Sequence, residues 1–177
     1  MAIREIYQSS LTGGSDYQNN ILHQNTKDIT KIDSEILSII KDLRDTLWAY
    51  PFCVGLSAPQ IGFNYSITVI NFERKSRDHD IILINPKILE RTGKKDKKIE
   101  SCMSVWGKRG EVERRSKILI EYFNIDMQIF KNQFEGMSAR VIQHELDHLQ
   151  GILYCDIIAS GKKLEKADFF DNYKIIK

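Results

Sequence analysis

Cysteine and proline are scarce in this sequence, three of each in 177 residues, and no apolar run approaches the length of a membrane span. Three thiols are an odd number and too few for a disulfide framework, which points to reduced cysteines in a reducing compartment. The missing apolar run excludes an integral helical membrane protein. Met1 to Ser10 carries Arg4 and Glu5 and has no signal-type apolar stretch, so secretion is not expected. Neither charge sign dominates: 26 Lys and Arg against 24 Asp and Glu leave a net charge of +2. That balance argues against DNA binding by bulk electrostatics. Internal repeats and low-complexity linkers are also missing. What remains is 42% hydrophobic and 28% charged residues, the mix of a soluble globular protein that buries a core without covalent staples. Residues 1–177 read as one domain with a short basic tail from about residue 160, where five lysines face three acids, and that tail reads as a solvated end. The expected location is the cytoplasm, or an organellar matrix if the source is eukaryotic.

Periodicity supplies the elements. Asp33 is a good N-cap, and Ile36, Ile39, Ile40, Leu43 and Leu47 follow at helical spacing until Pro51 ends the segment. Cys53 to Gly62 reads as a loop. Ser66 to Phe72, Ile81 to Ile84 and Ile118 to Phe123 are short and β-branched, hence strands, with Met127 to Phe130 a hairpin partner across Asn124 to Asp126. The charge run Arg91 to Lys98 (RTGKKDKK) reads as a solvated turn, since no aromatic residue interleaves with its lysines as in a nucleic-acid contact. A last helix runs from about Ser138, its expected N-cap, to Gln150, and Gly151 fits the position that ends it. The fold class is α+β: mostly antiparallel β-sheets packed around a central metal-binding helix, with an N-terminal helix.

That last helix carries the chemistry. Four residues advance a helix by about 400°, so His144 and His148 project from nearly one line and can chelate one metal ion. Glu145 lies about 100° around from His144, placed to take a proton from a water activated at such an ion. A third ligand is required, and the residues leave it open. Tyr154 stands where one class of zinc protease has its third histidine, and Glu165 is the carboxylate that another class would use. A thiolate from Cys102 or Cys155 is the remaining option. His79 reads as a surface turn residue.

Three separated stretches resemble, in order, the signature motifs of the peptide deformylases. They are Gly55 to Gly62 (GLSAPQIG), Glu100 to Ser104 (ESCMS) and Gln143 to His148 (QHELDH). The similarity extends to Met1 to Ile6, to Arg109 and Arg114, and to the residues flanking the histidine helix, as far as about Ile158. The resemblance implies a metal-dependent hydrolase that removes the formyl group from N-formylmethionine at the start of new polypeptides, releasing formate. It implies one divalent ion, iron(II) in the cell, replaceable by nickel, cobalt or zinc, held by Cys102, His144 and His148. Glu145 would be the catalytic acid and base, with Gln60 and the backbone N–H of Met103 stabilising the oxyanion. Gly55, Leu56, Arg109 and His144 would contact substrate. Partners would be formylated nascent peptides, with a weak ribosome contact and neither DNA nor membrane. Cys53 and Cys155 would not be ligands, and Cys155 reads as packed core.

The chain departs from the family pattern at Cys53, Ser57, Ser101, Met103 and Trp106, where the family usually has glycine, alanine, glycine, leucine and proline. A side chain at 101 would be strained by about 1–2 kcal/mol if that position needs φ > 0. Glu100 precedes Cys102 by two residues and should be neutralised by Arg114 or Arg109. Two other readings stand beside the deformylase: a catalytically silent or altered-specificity binding protein of this kind, and a metallopeptidase with Glu165 as third ligand.

Overall fold

In the structure, a computed structural model, residues 3–174 are described. Met1 and Ala2 of the N-terminal matching segment lie outside the described residues. Helix α1, Asp16–Leu22, is short, capped by the Ser15 hydroxyl, and too weakly patterned to have been expected. Helix α2, Ser34–Ala49, starts where its cap predicts: the Asp33 carboxylate accepts from the Ile36 N–H at 3.1 Å. Its stripe Ile36, Ile39, Ile40, Leu43 and Leu47 is buried, worth about 1.5–3 kcal/mol per side chain. Helix α3, Gly136–Leu149, begins two residues before the expected Ser138. Ser138 does not cap it, because its hydroxyl donates instead to the Glu135 carbonyl at 2.8 Å. Gly151 closes the helix at φ 70°, and a Cβ there would lie 2.6 Å from the His23 backbone.

Among the described residues, six antiparallel strands form one sheet: β1 Gly55–Ser57, β2 Ile67–Ile70, β3 Ile81–Ser101, β4 Lys108–Phe123, β5 Ile129–Glu135 and β6 Glu165–Lys166. The order is β1-β2-β3-β4-β5, with β6 paired to the start of β4. Three register irregularities, at Ile84/Lys87, Ile88/Glu90 and Thr92/Lys95, interrupt the β3–β4 ladder. Such bulges bend a strand. The start of β3 pairs with β2, whereas its end pairs only with β4.

Three expectations are corrected. Arg91 to Lys98 is not a turn but the outer half of β3, with Lys97 opposite Glu113 and Lys95 paired to Glu113 at 2.7 Å. Lysines tolerate a solvent-facing strand, so their charge says little about a turn. Cys53 to Gly62 is not a plain loop, since it holds β1 and a buried 3-10 turn, Ala58–Ile61. The tail from residue 160 is not a loose end. Ala167 and Phe170 are buried, and the Phe170 ring lies 4.6 Å from Trp106 and 5.5 Å from Phe52.

The core has three parts. Helix α2 packs on Leu56, Val69 and Ile84, while α3 lays Ile142 and Leu146 against Ile70, Leu83, Ile118 and Ile120. A third cluster joins Cys102 to Val105, Val112, Leu153 and Tyr154. No described helix is long and apolar enough to cross a membrane.

Candidate metal centre and active site

Three pieces of chain converge. The tight turn between β3 and β4, closed by the Val105 N–H donating to the Cys102 carbonyl at 3.1 Å, carries Cys102, Met103 and Ser104. Helix α3 brings His144 and His148 one turn apart, ring centroids 5.0 Å and planes 82° to each other. Strand β1 and the 3-10 turn after it add Gly55, Ser57 and Gln60.

One donor atom each from Cys102, His144 and His148 lies within 4.8 Å of the other two, so the group can hold a metal ion. Cys102 Sγ is 3.2 Å from His148 Nε2. The sulfur also receives the Gln60 Nε2 amide and the Ser104 N–H, each at 3.4 Å, surroundings that suit a thiolate. His144 Nδ1 sits 3.0 Å from Glu100 Oε2, which leaves its other nitrogen for an ion. Burial, the largest influence, keeps His148 well below the usual imidazole range, whereas at His144 burial is outweighed by hydrogen bonds to Cys102 and Glu100, which hold it well above that range. A soft sulfur, two imidazoles and an orienting carboxylate fit a divalent transition metal and leave a coordination position open.

Glu100 anchors this frame. Arg114 grips it with two hydrogen bonds of 2.8 and 2.9 Å, and Arg140 adds one of 2.6 Å. Burial alone would raise its carboxyl, but His144 and Arg114 outweigh that and hold it well below the carboxylate range. Of the two arginines expected as its partner, Arg114 is the one in contact, and it also reaches Asp147 at 2.6 Å. The part of Arg140 went unread, although its place four residues before His144 puts both on one helix face.

Glu145 is buried, and burial pushes its carboxyl up against the opposing pull of His144 and the Ser57 hydroxyl. Gly55 is required beside it, since a Cβ there would come 2.5 Å from Glu145 Oε1. Gln60 is held by its own oxygen, which accepts from the Ser57 N–H at 2.8 Å, so its amide nitrogen turns to Cys102 and to Ser104 Oγ at 3.3 Å. The Met103 carbonyl accepts from Gln8 Nε2 at 2.8 Å, while its N–H has no hydrogen-bond partner among the described residues.

A cavity of 320 Å³ lies over these groups, with Cys102, His144 and Glu145 in its wall. Its apolar lining includes Phe52, Val141, Met137 and Phe169, the last two exposed at the rim. The tail therefore contributes to the site through Phe169 and Phe170, which the sequence pattern of a basic end did not suggest.

Several expected residues lie elsewhere. Leu56 puts its side chain in the core, outside the cavity lining. Arg109 is also outside it, exposed on β4 and paired with Glu165 of β6 at 3.3 Å. Glu165 is thus an exposed strand residue away from the histidines, and the metallopeptidase reading loses its third ligand. Cys53 is buried in the cavity wall, its thiol pushed up by burial and donating to the Gly55 carbonyl at 3.1 Å. Cys155 is half-buried, pushed up to about 12 by burial and Asp156. Neither joins the donor group. Ser101 lines the cavity with no positive φ, so the strain expected of a side chain there is absent. His79 is exposed in a 3-10 turn.

Comparison with known proteins agrees with this geometry. The family model described as polypeptide deformylase matches residues 15–164. A peptide deformylase of Pseudothermotoga lettingae is 36% identical over 143 residues, 81% of this chain and 80% of that protein. One from Finegoldia magna is 36% identical over 154 residues, 87% of this chain and 93% of that one. The crystal structure of the Thermotoga maritima peptide deformylase superposes with a TM-score of 0.79 at 30% identity, covering 90% of this chain and 99% of that one. Matches of this extent, on a chain whose cysteine and two histidines already converge beside a buried glutamate, make it a member of the polypeptide deformylase family.

Proposed function

We propose that this chain is a metal-dependent amide hydrolase that removes the formyl group from the N-formylmethionine of newly made polypeptides and releases formate. The observation that carries the reading is one cavity whose wall holds Cys102, His144, Glu145 and Gln60, with the buried His148 completing the donor group of Cys102 and His144. The matching names of its relatives support it.

A divalent ion in that group, iron(II) in the cell with nickel, cobalt or zinc as substitutes, would supply Lewis acidity and lower the pKa of water. The protein's own residues do the rest. A formamide is a weak electrophile, so the attacking water must lose a proton as it adds to the carbonyl carbon. Glu145 takes that proton. Charge then builds on the carbonyl oxygen, to which Gln60 Nε2 and the Met103 N–H would donate; losing one such donor costs ~100-fold or more in rate. Glu145 returns the proton to the amine nitrogen as the C–N bond breaks. The methionine side chain would enter the apolar part of the cavity, with the backbone of Gly55 and Leu56 alongside the peptide. Helix α3 at the centre of the sheet frame would hold the two histidine ligands rigidly, and the β3–β4 turn would hold Cys102.

The chain would act as one domain in the cytoplasm or an organellar matrix, and a weak ribosome contact would fall to its exposed lysines. A silent binding protein is disfavoured by the intact Glu145 and Gln60. The test compares formyl-Met and acetyl-Met peptides with anaerobically iron- or nickel-loaded protein. The formyl peptide should be hydrolysed and the acetyl one rejected, its extra methyl having no room between Gln60 and the Cys102 segment. Equal rates on both, or none on either, would refute the reading.

A further inference from the structure

Ser57 touches two of the polar side chains in the cavity wall, Glu145 and Gln60. Its hydroxyl donates to Glu145 Oε2 at 2.8 Å, with the Glu145 carbonyl 3.1 Å away. Its N–H fixes the Gln60 amide. The residue is fully buried and does not line the cavity itself. Residues 55 and 57 point to the same side of β1, so the glutamate head meets a glycine that makes room and a serine that grips. Glu145 Oε1 lies against Gly55 and accepts no hydrogen bond among the described residues. The two carboxylate oxygens are therefore unequal: one is engaged by Ser57 and the other is left for chemistry. Alanine, the residue the family usually has at this position, offers no such hydroxyl.

We propose that Ser57 is a positioning residue, whose hydroxyl holds Glu145 Oε2 and thereby presents Oε1 to the reacting water. The inference rests on the deformylase reading, in which Glu145 moves the proton. Ser57→Ala keeps the contact of the Ser57 N–H with the Gln60 side chain and removes the hydroxyl, with its grip on the glutamate and its part in capping the 3-10 turn. With metal content matched, kcat on a formyl-Met peptide should fall about 10- to 100-fold, the worth of one hydrogen bond to a charged group. KM should stay near the wild-type value. In a Glu145→Gln background the same change should have almost no further effect on the residual rate. Unchanged kcat, an equal loss in the Glu145→Gln background, or loss of the ion or of the folding transition would overturn the proposal.

A second readout does not depend on activity. Crystals of Ser57→Ala should show the Glu145 carboxylate turned away from its wild-type rotamer. An unmoved carboxylate overturns the proposal even if the wild-type protein deformylates nothing, whereas an inert wild type refutes the deformylase reading itself.

Discussion

Replacing Glu100 with alanine removes, in one step, the acceptor shared by Arg114, Arg140 and His144. The side chains of Glu100, Arg114 and Arg140 are each only 6% exposed, so water cannot take over. Arg114 keeps its bond to Asp147 at 2.6 Å and Arg140 keeps the Val112 carbonyl at 3.1 Å, which limits the damage without cancelling it. Breaking a buried pair on one side costs about 3–5 kcal/mol. For a chain of this size each kcal/mol lowers Tm by about 2–4 °C, so a drop of roughly 6–20 °C is expected. His144 also loses the carboxylate that fixes its ring, and metal retention should fall by about 10- to 100-fold. Thermal melts followed by circular dichroism, with metal content from mass spectrometry, read both effects. Glu90→Ala, at an exposed site on the same strand, is the control. If Glu100→Ala melts with the control and holds its metal equally well, the carboxylate is not the anchor described here.

Other outcomes are as definite. Glu145→Gln should keep the metal, because the side chain is not in the donor group, yet lose about 100- to 10,000-fold in turnover; near-normal formate release would place the base elsewhere. Gly55→Ala should cut kcat sharply by pushing the Glu145 carboxylate out of place, and a wild-type rate would mean that the 2.5 Å approach is easily relieved. Asp45 is held down at about 2, where burial would raise it but Lys41 and Arg77 outweigh the burial. Its folded pKa lies below the unfolded one, so its stabilisation is full above about pH 4 and fades as the pH falls toward about 2. The stability gap between wild type and Asp45→Asn, measured by urea unfolding, should narrow over that window; a gap independent of pH would contradict the pairing.

Much of this was legible in the chain. A strong 3.6-residue stripe and an aspartate cap marked α2, and the histidine spacing marked α3 with its face toward a metal. The long β3 was hidden because lysines on a solvated strand show no apolar alternation to read. Three-residue β1 is too short for any period, and its burial depends on strands far along the chain. The docked tail depends on Phe170 meeting Phe52 and Trp106, which no local pattern reports. Arg109 looked suited to Glu100 or to substrate from its place near Cys102, but strand alternation sends it to the face where Glu165 waits.

The most direct test of the account is formate release from a formyl-Met peptide by wild type and Cys102→Ala, each loaded anaerobically with nickel and assayed for bound metal. The account predicts one ion and steady turnover in the wild type, with ion and turnover lost together in the variant. A wild type that carries its ion and releases no formate, or a variant that keeps releasing formate without an ion, would contradict it.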